Sequence, residues 1–152
     1  MKVFVVRHAK AGDRTSWTQA DEHRPLTKSG RRQAEALVDL LAAERITRVV
    51  SSPYVRCVQT VAPLAAARGL EVELDAALAE GAPLDAVLDL IDRAGSGALH
   101  CTHGDVGTDL IDDLADRRVT GADASLMKKG STWVLEGADR AFTRATYLPP
   151  PA

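Results

Sequence analysis

Only two cysteines, Cys57 and Cys101, occur in the 152-residue chain, far apart and each among apolar neighbours. That excludes a disulfide framework and fits reduced thiols in a cytoplasmic protein. A dominant charge is missing too: 19 Lys and Arg against 21 Asp and Glu leave a net −2, with a pI near 6.1. No overall basic field exists to gather a nucleic-acid polymer or an anionic membrane, so any anion site must be local. No apolar run approaches the roughly 20 residues that span a bilayer. No signal peptide is read ahead of the first apolar stretch, and the cytoplasm is the expected compartment. Cys-x-x-Cys and His-x-x-x-His spacings, a Gly-x-x-x-x-Gly-Lys loop, a dinucleotide fingerprint, internal repeats and linkers are all absent. The length suits one domain, residues 1–152, able to bury a core without metal or disulfide support.

What is present is organised around the first ten residues. Val3 to Val6 form a wholly apolar, β-branched or aromatic run, the pattern of a strand covered on both faces. Arg7 and His8 follow at its carboxyl end, where open α/β sheets bind ligands. A polar loop, Ala11 to Pro25, is long enough to line a site. Thr27 is read as the N-cap of an amphipathic helix running to about Glu44, with Ala34, Leu37, Val38, Leu41 and Ala42 on its apolar side. Arg48 to Ser51 reads as a second strand, Tyr54 to Arg68 as a helix closed by Gly69, and Glu71 to Leu74 as an edge strand. Glu80 falls in a loop, Leu84 to Arg93 in a helix, and Ala98 to Thr102 in a fourth strand leading into His103-Gly104-Asp105 and another helix. Ala115 to Gly130 reads as mostly loop. Ser131 to Glu136 and Phe142 to Leu148 read as a closing hairpin turned by Gly137-Ala138-Asp139. The alternation predicts an α/β fold: a largely parallel sheet with helices on both faces and an antiparallel pair at one edge.

Parallel strands would bring three polar segments to one rim: Arg7-His8, Ser51 to Arg56, and Thr102 to Asp105. Two arginines and two histidines then converge, a set suited to phosphoryl binding and transfer. Guanidinium groups stay ionised and fit phosphate oxygens bidentately. A neutral imidazole can attack phosphorus, and flanking arginines would push its pKa down. Arg56, in the first turn of its helix, lies where backbone N–H groups already favour an anion. A second histidine would touch the transferring oxygens, and Glu80 is the candidate to protonate the leaving oxygen. Two arginines beside the histidines argue against a divalent cation, so neither metal nor cofactor is expected.

The ordered segments Arg7-His8-Ala9-Lys10-Ala11-Gly12, His23 to Gly30, Ser51 to Thr60 and Thr102-His103-Gly104 resemble the histidine phosphatase superfamily, with its phosphoglycerate-mutase-like three-layer α/β/α fold. The likeness is greatest to its short SixA-like phosphohistidine phosphatases, and extends to the phosphatase-like domain at the C-terminus of some actinobacterial MutT-type Nudix hydrolases. No acidic Nudix box is present. The resemblance implies that His8 is transiently phosphorylated, that Arg7, Arg56 and His103 bind the phosphoryl group, that Glu80 stands at the proton donor's place, and that Arg24 matches an arginine near the pocket. Ala9 and Lys10 depart from the commoner form, in which glycine follows the histidine.

Plainer readings stand beside these. Glu80 can be a solvated loop carboxylate, Arg24 a residue that orders its turn, and Asp105 a helix N-cap or a partner behind the site. His23 and His100 read as structural, and Lys128-Lys129 as a solvated loop, with contact to an acidic substrate as the alternative. The expected activity is a metal-independent phosphatase with a phospho-His8 intermediate, most simply acting on phosphohistidine in a protein. The alternatives are a phosphomonoesterase for nucleotides or sugar phosphates, and a non-catalytic module that binds phosphorylated ligands.

Overall fold

The computed structural model describes residues 1–138 and 141–151. Six strands, β1 (Lys2–Arg7), β2 (Arg48–Ser51), β3 (Val72–Leu74), β4 (Ala98–Thr102), β5 (Thr132–Ala138) and β6 (Ala141–Leu148), form one sheet in the order β3-β2-β4-β1-β5-β6. The first four run parallel, β5 lies antiparallel to β1, and β6 antiparallel to β5. Both the α/β class and the antiparallel edge expected from the sequence are present, and β3 stands at the opposite edge. Asp139 of the expected hairpin turn lies outside the described residues.

Alternation along β1 explains the layers. Val3 and Val5 pack with Leu90 and Ile91 of helix α3 (Leu84–Ala94) and with Leu110 and Ile111 of α4 (Gly104–Asp116). Phe4 and Val6 point the other way, into a core shared with Leu37 of α1 (Lys28–Leu40) and with Val61 and Leu64 of α2 (Val55–Ala67). With both faces covered, β1 is apolar from Val3 to Val6 and carries its polar residues at its ends, whereas β4 holds one buried polar residue at its centre, His100, bonded to the Phe4 carbonyl.

Thr27 caps α1 as expected, its Oγ1 accepting from the Gly30 N–H at 3.0 Å. The helix ends at Leu40 rather than Glu44. Leu41 remains fully buried although its backbone has left the helix, and Ala42 is exposed, so the apolar spacing outruns the helix itself. Tyr54 is the N-cap of α2 and not part of it, and Gly69 closes the helix at φ 66°.

The start of α1 rests directly on the chain leaving His8. Thr27 N–H donates to the Lys10 carbonyl at 2.9 Å, and a Cβ on Gly30 would sit far inside contact distance of that same carbonyl. Because the obstacle is backbone, Gly30→Ala is expected to cost about 2 kcal/mol through overpacking. Thermal unfolding should show it as a Tm lowered by roughly 4–8 °C; an unchanged Tm would mean that α1 does not brace this segment.

Candidate active site

The carboxyl ends of β1 and β4 and the start of α4 open into a cleft of about 840 Å³ lined by Arg7, His8, Arg24, Glu80 and His103. These are five of the six residues that the sequence singles out. The sixth, Arg56, is fully buried behind the wall.

His8 is anchored through its backbone, its N–H donating to the Thr102 carbonyl at 3.0 Å. Its Nδ1 lies 2.8 Å from the Ala9 carbonyl. A carbonyl can only accept, so the proton of the neutral ring sits on Nδ1 and Nε2 keeps its lone pair. Burial lowers the His8 pKa from its ordinary 6.5 to about 3, with repulsion from His103, Arg56 and Arg7 adding to it. Burial therefore outranks the arginines, which the sequence reading made the cause. The His8 ring is expected to stay neutral down to about pH 4, as an imidazole NMR titration would show; a midpoint near 6.5 would contradict the burial argument. The sign for stability follows. The unfolded chain takes up a proton below 6.5 and the native ring does not, so this contribution is full above pH 6.5. It falls by about 1.4 kcal/mol for each unit of acidification towards pH 3.

His103, the N-cap residue of α4, packs edge-on to His8 with ring centroids 5.4 Å apart. Its Nε2 is 2.8 Å from Ser52 Oγ, and that oxygen also accepts from the Tyr54 N–H at 3.2 Å. When Ser52 donates its hydroxyl proton to Nε2, the N–H of His103 is on Nδ1. That Nδ1 is buried and has no partner. Arg7 shows the same pattern: Nη1 donates to the Met127 carbonyl at 2.7 Å, while Nε is buried and unpartnered. Its guanidinium lies against Gly104, where a Cβ would come within 2.7 Å of Cζ. The glycine gives Arg7 room beside the amino end of α4. Both residues line the cleft, and unsatisfied buried donors are costly unless a ligand's oxygens or water meet them.

Arg56 is held by a residue that the sequence reading passed over. Its Nη1 donates to the Asp21 carbonyl at 2.9 Å and its Nη2 to Asp21 Oδ2 at 3.0 Å. Asp21 opens a 3-10 turn, Asp21–His23, within the long loop, and its Oδ1 accepts from Arg24 Nε at 2.9 Å. Partial burial pushes the Asp21 carboxyl up, but hydrogen bonds from Arg24 and Arg56 outweigh this and hold it below the ordinary range. Arg24 also donates to the Gly12 carbonyl, at 2.6 Å. It both orders its loop and lines the cleft.

Glu80 reaches the cleft rim and accepts from Arg14 Nη2 at 2.9 Å. Two contacts place its loop: Thr102 Oγ1 donates to the Leu78 carbonyl at 2.7 Å, and Gly81 N–H donates to Asp105 Oδ2 at 2.8 Å. Asp105 is therefore a support for the Glu80 loop and not the N-cap, a place taken by His103. His100 is buried, with Nδ1 3.0 Å from the Phe4 carbonyl, and His23 is exposed; neither lines the cleft. Lys128 and Lys129 are both exposed, as the sequence reading has them, and Lys129 in addition lines the cleft whereas Lys128 does not. No group of three or more His, Cys, Asp or Glu that could hold a metal occurs among the described residues. Nor, among them, is any helix long and apolar enough to cross a membrane.

A family model described as the histidine phosphatase superfamily, branch 1, matches residues 3–83. The chain belongs to that superfamily. A curated relative, the 8-oxo-(d)GTP phosphatase of Mycolicibacterium smegmatis, is 37% identical over 98% of this chain and 48% of its own length. The chain spans about half the length of the curated relatives it matches. Among solved structures, an Agrobacterium tumefaciens protein assigned to the SixA phosphohistidine phosphatases superposes with a TM-score of 0.79 at 23% identity, covering 98% of this chain and 97% of that one. The protein histidine phosphatase SixA complexed with tungstate superposes at 0.74 and 19% identity, covering 97% and 94%. At these identities the likeness establishes the phosphoglycerate-mutase-like fold. Family and fold together support a phosphatase-type hydrolase.

Proposed function

We propose that this chain is a metal-independent phosphatase in which His8 Nε2 attacks phosphorus and water later releases the phosphoryl group. The observation that carries the reading is the buried, neutral His8 ring, with its Nδ1 proton given to Ala9 and its Nε2 free. The nucleophile needs no base to deprotonate it, because burial keeps it unprotonated at neutral pH. The unpartnered Nδ1 of His103 and Nε of Arg7 supply donors for the equatorial oxygens, where negative charge must be stabilised through the transition state. Arg56 acts from behind the wall as fixed positive charge. In the second half-reaction a water attacks the same phosphorus in line and His8 leaves as the neutral ring it began as.

The first substrate reading is phosphohistidine in a protein, for which the open cleft leaves room. A second, a small phosphorylated metabolite such as a nucleotide, is favoured by the 37% identity to the Mycolicibacterium phosphatase. A cytoplasmic setting accords with both, as do the two buried free thiols.

Glu80 separates the two regimes. An alkyl phosphate expels a strongly basic oxygen that needs a proton, while phosphohistidine expels an imidazole that solvent can protonate. Glu80→Gln is expected to lower kcat about 100-fold on glycerol phosphate and less than about threefold on a phosphohistidine peptide, read by phosphate release. Equal losses on both would remove Glu80 from the role of proton donor.

A further inference from the structure

Arg7, Lys10, Arg14, Arg24 and Lys129 line the cleft against the carboxylates of Asp13, Glu80, Asp105 and Asp109, and part of the positive charge is unpaired. Arg14 is bonded to Glu80, and Arg24 to Asp21. Lys10 and Lys129 also line the cleft, yet neither takes part in any ion pair among the described residues. Lys129 is not a stray side chain on a loose loop. The next residue, Gly130, donates its N–H to the carbonyls of both Arg7 and His8, each at 3.1 Å. It does so in a left-handed conformation, φ 83°, that favours glycine. The polypeptide at the reactive strand end therefore fixes where Lys129 enters the cleft. Partial burial and repulsion from Arg7, Arg24, Lys10 and Arg14 lower the Lys129 pKa. Lys129, exposed at the cleft wall, thus carries its ammonium group among like charges without an ion-pair partner among the described residues, an arrangement that an incoming anion relieves. On the α4 side the cleft carries Asp105 and Asp109, which repel an anion and turn it towards the lysines.

We infer that Lys129, with Lys10, forms a second anion subsite beside the phosphoryl site, so that the preferred substrates carry a further anionic group, phosphoryl or carboxylate, near the phosphoryl group transferred. This rests on the cleft being the substrate site of the proposed phosphatase, and it sharpens the choice of substrate without altering the chemistry at His8.

The test compares phenyl phosphate with phenyl diphosphate and 3-carboxyphenyl phosphate in wild type, Lys129→Met and Lys128→Met. Lys129→Met should lose about tenfold more in kcat/KM on the two probes with a second anion than on phenyl phosphate, with the difference residing in KM. Lys128→Met, altered just outside the cleft, should show no such difference. A binding arm needs no turnover: calorimetry should give methylenediphosphonate a Kd about tenfold below that of methylphosphonate in wild type, a gap that closes in Lys129→Met. Equal losses on all three esters, or equal affinities for the two phosphonates in wild type, would overturn the subsite. Should the chain hydrolyse none of the esters, the phosphatase reading fails, and the phosphonate comparison still decides the subsite.

Discussion

His8→Ala is expected to lower kcat by about 10⁴-fold or more, because the route through a covalent intermediate disappears and only binding and charge stabilisation remain. The fold should survive. His8 lies at a strand end, and its backbone bond to the Thr102 carbonyl does not depend on the side chain. Circular dichroism and Tm close to wild type, with phosphate release near background, form the expected pair of observations. A variant that retained a tenth of wild-type activity would show that His8 is not the nucleophile.

Arg7→Met should cost about 10³-fold in kcat, at the upper end of what one preorganised donor group contributes to a transition state. The Nε of Arg7 is buried without a partner, and its guanidinium is seated on Gly104 with Nη1 spent on Met127. Its free capacity therefore points to a ligand more than to the fold. Arg7→Lys should recover only part of the loss, because an ammonium supplies charge without the planar fork. If kcat were intact and only KM rose, Arg7 would be binding ground state and transition state equally, and the transition-state role would be withdrawn.

Much of this arrangement was legible in the sequence for a definite reason. A strand buried on both faces admits few polar residues in its interior, His100 with its carbonyl partner being one, so Arg7-His8 after β1 and His103 after β4 announce a shared rim as soon as the strands are read as parallel. The layers follow equally from the alternation of Val3 and Val5 with Phe4 and Val6. The rest depended on paths without periodicity. Asp21 sits 35 residues before its partner Arg56, in a loop whose course no spacing rule describes, so the buried ion pair was invisible. Lys129 looked like one of two equivalent lysines. Only the turn at Gly130, bonded to the Arg7 and His8 carbonyls, separates it from Lys128. The end of α1 was misplaced because Leu41 stays in the core after the helix has stopped. The His8 pKa was ascribed to neighbouring charges because charge can be counted in a sequence, whereas burial, the larger cause, has to be seen.

Turnover by the proposed route requires a covalent bond between phosphorus and His8 Nε2. Rapid quenching of the enzyme with a ³²P-labelled phosphomonoester under alkaline conditions, followed by peptide mapping, looks for that bond directly. The prediction is acid-labile, alkali-stable label on the peptide containing His8, and none in His8→Ala. A wild-type enzyme that turns substrate over without acquiring label, or label that persists in His8→Ala, would contradict it.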